Sequence, residues 1–181
     1  PEELGDKRGM GLSLGNIGYV YKDKGDLDTA LDYYERSLKI DGDLGDKFGI
    51  GNSLNNIGIV SFEKGDYDTA LDYDERSLAI AEELGDKRGM GNSLHNIGNV
   101  HADKGDYDKA LGYYKKSLAI DEELGDKRGM GYSLNNIGVV HYDKGDYKKA
   151  EEYLEKSLVL QKEIGMGGEL PLWTTTNLYL S

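Results

Sequence analysis

The side chains best suited to chemistry in this sequence are few and regularly placed. Asparagine recurs at Asn16, Asn56, Asn96 and Asn136, and histidine stands at His95, His101 and His141. A carboxamide offers both donor and acceptor, so one per repeat can pair with the N–H and C=O of an extended peptide whatever that peptide's side chains are. The competing reading is that each amide ties neighbouring helices together. For the histidines a metal or catalytic role finds no support, because no HExxH pair and no Cys/His cluster accompanies them and the chain has no cysteine. His101 and His141 share a column with Tyr21 and Ser61 on the expected core side, whereas His95 falls among variable positions as a candidate ligand contact.

Two further fragments imitate ligand motifs. "DKGDYD", Asp103 to Asp108, has Gly105 third and Asp108 sixth, where a calcium loop needs Asp or Asn third and Gly sixth. "GMGNSLHNIG", from Gly89, lacks the GxGxxG spacing and the Lys-Ser/Thr of a phosphate loop. No metal, nucleotide or other cofactor is expected, and no catalytic residue is assigned. Ser37, Ser77, Ser117 and Ser157 read as packing residues where a small side chain is required.

These side chains must be positioned by a repeated element. Gly-Asp returns at Gly5, Gly45, Gly85 and Gly125, and again at Gly25, Gly65, Gly105 and Gly145, a period of 40 residues. Such a period signals a solenoid. Glycine can end one helix in a left-handed cap, and the following Asp can accept from the free N–H groups that open the next. The expected unit is helix, tight turn, helix, with Pro only at Pro1 and Pro171. In the second unit, Ile50, Leu54, Ile57 and Ser61 mark the core row of a first helix spanning about Lys47 to Glu63. Gly51 and Gly58 on its flanks each cost about 1 kcal/mol relative to Ala, which points to close approach of neighbouring helices. The second helix presents Tyr67, Ala70, Leu71, Tyr73, Ser77, Leu78 and Ile80 on one face and a charged row on the other.

Comparing the copies isolates what changes. The variable columns are Leu12/Asn52/Asn92/Tyr132, Gly15/Asn55/His95/Asn135, Tyr19/Ile59/Asn99/Val139 and Lys22/Phe62/Ala102/Tyr142. Their spacing of three, four and three forms one stripe on each first helix, opposite the core row. The unvarying asparagine lies within it. Beside it runs an acidic row, Asp23, Glu63, Asp103 and Asp143, which either favours basic ligands or forms a solvated edge. Apolar members, Tyr19, Ile59, Phe62, Tyr132, Val139 and Tyr142, are of the type that makes binding hot spots.

Composition narrows the partner class. A formal net charge of −12, with Lys and Arg interspersed among Asp and Glu, disfavours nucleic acid. No apolar run approaches the roughly 20 residues that span a bilayer, and "PEELGDKRGM" is not a signal peptide. A cytoplasmic setting fits the absence of cysteine.

The run "NNIGIVSFEKGDYDTALDYDERSLAI" resembles a tetratricopeptide repeat, with its small Gly58, the turn "KGDYD", Ala70, aromatic Tyr73 and small Ser77. The usual unit of that family has about 34 residues. This one is longer by about six residues, most visibly in "EELGDKRGMG", and is similar to the longer units of Pins/LGN-type adaptors, kinesin light chains and bacterial signalling repeats. The resemblance implies an all-α, right-handed superhelical α-solenoid whose variable stripe lines a concave groove. It also implies that Asn16, Asn56, Asn96 and Asn136 contact ligand backbone. Four units are expected at approximately 5–44, 45–84, 85–124 and 125–164, with 1–4 closing a preceding one. Residues 165–181 read as a diverged helix in which Leu172, Trp173, Leu178 and Leu180 cover the end of the core and Asn177 aligns with the ladder. The resulting expectation is a non-catalytic scaffold that captures an extended, basic and apolar peptide. A regulatory segment of a larger signalling protein is the alternative, as is a self-associating module prone to domain swapping.

Overall fold

The structure is a computed structural model that describes residues 2–165, with side chains from Lys7 onward. Eight α-helices and no strand occur among these residues: α1 (Glu2–Asp23), α2 (Leu27–Leu44), α3 (Lys47–Glu63), α4 (Tyr67–Leu84), α5 (Lys87–Asp103), α6 (Tyr107–Leu124), α7 (Lys127–Asp143) and α8 (Tyr147–Glu163). The diverged helix expected around Trp173 and Asn177 lies outside the described residues.

Seven of the eight Gly-Asp pairs act as helix punctuation, whereas Gly5-Asp6 runs on inside α1 and does not separate residues 1–4 from it as the sequence suggests. Gly45 and Gly85 close α2 and α4 at φ 66°, a left-handed conformation that costs glycine nothing. Asp46 then caps α3 by accepting from the Gly49 N–H at 3.1 Å, and Asp66 caps α4 by accepting from the Thr69 N–H at 3.2 Å. Each cap satisfies an otherwise orphan N–H, worth about 1 kcal/mol.

Packing follows the core row. Ile57, Ile97 and Ile137, together with Val60, Val100 and Val140, are buried in the first helices, and Ala30, Ala70, Ala110 and Ala150 in the second. Close approach explains several of the helical glycines. A Cβ at Gly18 would lie 2.8 Å from the Tyr34 ring, and one at Gly138 would lie 2.8 Å from Leu154. The serine row does more than spare space: Ser37 donates to the Gly11 carbonyl at 2.9 Å, Ser77 to that of Gly51 at 3.0 Å and Ser157 to that of Gly131 at 2.7 Å. Each bond fastens the second helix of a pair to the first.

The chain divides into two compact units, Pro1–Tyr113 and Tyr114–Ser181. In the first unit α1 packs on α2, α2 on α3, α3 on α4 and α4 on α5, which brings α1 beside α3 and α3 beside α5. In the second, α7 packs on α8. This consecutive pairing of antiparallel helices is that of an all-α helical-repeat solenoid. No helix among the described residues is long and apolar enough to cross a membrane.

Candidate peptide-binding surface

Within the first unit, α1, α3 and α5 lie side by side and present the variable stripe. Asn52 and Asn92 are exposed, whereas Asn55, Ile59 and Phe62 on α3 and His95 and Asn99 on α5 are half-buried. On α1, Tyr19 is exposed. The stripe is therefore not an open face of free side chains but a shelf flanked by adjoining helices. Burial pushes the His95 imidazole pKa down and favours its neutral form. The Nδ2 of Asn55 is buried without a hydrogen-bond partner, an arrangement that ordinarily costs about 1–3 kcal/mol.

The ladder is unequal along its length. Asn16 is exposed, while Asn56 and Asn96 are half-buried. The Nδ2 of Asn96 donates to Asp74 Oδ1 at 3.3 Å, which joins α5 to α4. At this position the amide is a tie between helices as well as a member of the stripe. Asp74 is 1% exposed, and its carboxyl is pushed up to about 7 by burial against the pull of that hydrogen bond. Tyr34, Tyr114 and Leu154 occupy the same place in the other copies. Sequence reasoning that compared only first helices passed over this residue. The signal was available in the second-helix column Tyr34/Asp74/Tyr114/Leu154.

The acidic row is already engaged in part. Glu63 pairs with Lys22 at 3.4 Å, and Asp103 accepts from the Tyr67 hydroxyl at 3.2 Å. Tyr67 also packs near Phe62, with ring centroids 5.7 Å apart. One other carboxyl faces inward: Asp41 accepts from Ser53 at 3.1 Å and has its pKa raised by burial.

The second unit carries the corresponding features of α7. Tyr132 is exposed, and Val139 and Tyr142 are half-buried, with Tyr142 edge-on to Tyr147 at 5.5 Å. Asn135 donates to Asn136 Oδ1 at 3.4 Å, and Asp143 is exposed. The inward carboxyl here is Asp121, which accepts from Ser133 at 3.3 Å and is pushed up to about 6 by burial.

The two core-side histidines are buried as expected. His101 stacks on Tyr113 at 5.5 Å with its Nδ1 3.3 Å from Asp106, and His141 stacks on Tyr153 at 5.6 Å. Burial, reinforced by Lys149, lowers the His141 pKa. Among the described residues no group of three His, Asp or Glu side chains could hold a metal ion.

The tetratricopeptide repeat pattern matches residues 49–123 and 89–163, and a second form of it matches residues 12–44. The chain belongs to the tetratricopeptide repeat family. No curated protein sequence matches this tetratricopeptide repeat chain. Its fold is similar to that of BtubC (BKLC) from P. vanneervenii, with a TM-score of 0.75 and 21% identity over 87% of this chain and 65% of that one. It is similar also to aspartyl phosphate phosphatase F from Bacillus subtilis, with a TM-score of 0.83 and 19% identity over 88% of this chain and 42% of that one. A Rap protein complexed with Competence and Sporulation Factor gives a TM-score of 0.80 and 20% identity over 90% of this chain and 44% of that one. At these identities the likeness carries the fold. The chain thus spans between 42% and 65% of these structures. Tetratricopeptide repeats are protein-interaction modules, and the coarse function of this chain follows from that membership.

Proposed function

We propose that the chain is a non-catalytic binding module that holds an extended peptide or disordered segment along the first helices of its repeats, in a cytoplasmic setting. The observation that supports this most directly is the contrast within each of α3, α5 and α7. Their core-row Ile and Val side chains are buried, while the columns that change between copies stay exposed or half-exposed beside an unvarying asparagine. Packing explains the first set and leaves the second available for selection of a ligand. Asn56 and Asn136 would engage the ligand backbone, with Asn96 keeping its Oδ1 for that purpose while its Nδ2 serves Asp74. Asn52, Asn55, Ile59, Phe62, Asn92, His95, Asn99, Tyr132, Asn135, Val139 and Tyr142 would choose among side chains, with Tyr19 on α1. Exposed Asp143 and the engaged Asp103 favour a basic residue in the ligand, and the net charge of −12 argues against nucleic acid.

The deciding experiment is a diverse peptide array probed with the chain and with an Asn56→Ala, Asn96→Ala, Asn136→Ala variant of confirmed helicity. Binding that concentrates on basic-apolar peptides and falls in the variant supports the ladder. Equal binding by both proteins removes it. A second reading, a regulatory segment of a larger signalling protein, draws on the 42% coverage of aspartyl phosphate phosphatase F and on the Rap protein that is complexed with a partner.

A further inference from the structure

Asp74 occupies a niche that α2 fills with the Tyr34 ring, and it is enclosed from two sides. On α3 the room comes from Gly58: a Cβ there would lie 2.6 Å from Asp74 Oδ1, as one at Gly18 would lie 2.8 Å from the Tyr34 ring. On α5 the Asn96 amide reaches the carboxyl and donates from Nδ2 at 3.3 Å. One member of the asparagine ladder is therefore held from behind by a buried acid.

An ionised carboxylate can only accept, so it takes the Nδ2 end of the amide and not the Oδ1 end. With Nδ2 turned in to α4, Oδ1 is the end left to whatever lies along α5. A tyrosine hydroxyl both donates and accepts, so Tyr34 imposes no such choice on Asn56. On α7 the amide is engaged at its other end, since Oδ1 of Asn136 accepts from Asn135 Nδ2 at 3.4 Å. The charged groups on the helices that enclose Asp74 are turned to other partners. Glu63 on α3 pairs with Lys22, Asp103 and His101 on α5 meet Tyr67 and Asp106, and Asp72 on α4 itself pairs with Arg76. His95, next to Asn96, is held toward its neutral form by burial. Burial pushes Asp74 up to about 7, so it is largely ionised at pH 8 and protonated at pH 5, where its O–H serves Oδ1 as well as its carbonyl serves Nδ2.

We propose that Asp74 is a positioning residue that sets ligand specificity at one rung: by holding Nδ2 of Asn96 it turns Oδ1 to the peptide, so the residue seated there must bring a backbone N–H. Proline and N-methylated residues lack that hydrogen and are refused at this rung, a demand that Asn56 does not make. The inference rests on the reading of the asparagines as a ladder for peptide backbone.

The test is a backbone-methylation scan. The probe is the tightest binder from an array of acetylated, amidated peptides of Lys, Arg, Leu, Phe and Ala, none of which titrates between pH 5 and pH 8. It is resynthesised with each backbone nitrogen methylated in turn. At pH 8, methylation at one nitrogen should weaken binding to the chain at least about tenfold more than binding to Asp74→Tyr, while the other nitrogens show no such difference. Asp74→Asn, which keeps the shape but both donates and accepts, replaces Asp74→Tyr if circular dichroism shows helix loss. At pH 5 the chain itself should lose most of that discrimination, and comparing methylated with parent peptide at each pH cancels the charge of His95. Penalties equal in the chain and in the Asp74 variants, or unchanged at pH 5, would overturn the proposal while the ladder stands. Parent-peptide binding indifferent to Asn56→Ala, Asn96→Ala, Asn136→Ala, or no binding by any array peptide, would overturn the ladder and this proposal with it.

Discussion

The junction between α2 and α3 and the junction between α4 and α5 share a backbone plan and differ in chemistry. Both second helices run 18 residues, both end on a glycine at φ 66° and both lie across a first-helix glycine, Gly18 or Gly58. Tyr34 fills the first junction, 1% exposed and packed with Ala30, Ile57 and Val60. Burial first, and then the charge of Glu63, push its hydroxyl up to about 12, so it stays neutral at any physiological pH. Asp74 fills the second, also 1% exposed, with Asn96 its hydrogen-bond partner. Helix caps and glycine contacts therefore set the repeat geometry, while a single column sets how firmly neighbouring repeats adhere. In a solenoid, where stability is nearly a sum of local interface terms, the α4–α5 junction is expected to be the weaker seam.

The largest expected effect comes from making the first junction like the second. Tyr34→Asp should cost about 3–5 kcal/mol in urea unfolding, since it removes a buried ring and installs a buried carboxyl with only the Asn56 amide to pair with. A loss under about 1 kcal/mol would show that the ring is not what holds α2 to α3. The converse change, Asp74→Tyr, should add about 2 kcal/mol at pH 8 by replacing a buried charge with apolar contact. The phenol has room there if Gly58 receives it as Gly18 receives Tyr34. Destabilisation would mean the seam has adapted around the smaller side chain.

Much of this architecture was legible beforehand, and the reasons are local. Gly45 and Asp46, or Gly85 and Asp86, mark helix ends through φ preference and capping, which act over a few residues and recur from repeat to repeat. Ile57 and Val60 announce themselves by period. Asp74 did not, because a carboxylate is ordinarily a surface residue and only its alignment with Tyr34 betrays it. The candidate surface was readable as a set of columns, but its half-burial and the diversion of Asn96 to Asp74 arise from the adjoining helix, which no single helix encodes.

A pH series sharpens the same contrast. The folded state keeps a proton on Asp74 up to about pH 7, whereas the unfolded chain releases it near 3.8. Over that window the folded form binds more protons, so stability falls as pH rises, by up to about 1.4 kcal/mol per unit for this group. Asp121, pushed up to about 6, and Asp41 tilt the same way. His95 and His141, held down by burial, tilt oppositely below about pH 6.5. The difference between the chain and Asp74→Tyr isolates Asp74, and it should shift steadily in favour of the variant from pH 4 to pH 7 and then level off. A constant difference would mean the carboxyl does not bind its proton more tightly when folded.

The smallest effect separates the two roles assigned to the asparagines. Asn96→Ala removes the donor that Asp74 uses and should cost about 1–2 kcal/mol at pH 8, where the carboxyl is charged. At pH 5 the carboxyl carries its own proton and depends less on the amide, so the cost should shrink. Asn56 stands at the equivalent place beside Tyr34, a group that asks nothing of it, and Asn56→Ala should leave stability nearly unchanged at either pH. If the ladder binds peptide backbone, both substitutions weaken peptide binding by similar factors even though only one weakens the fold. Loss of binding in Asn96→Ala alone would instead trace the effect to the loosened α4–α5 seam, and the asparagines would be ties between helices that happen to repeat.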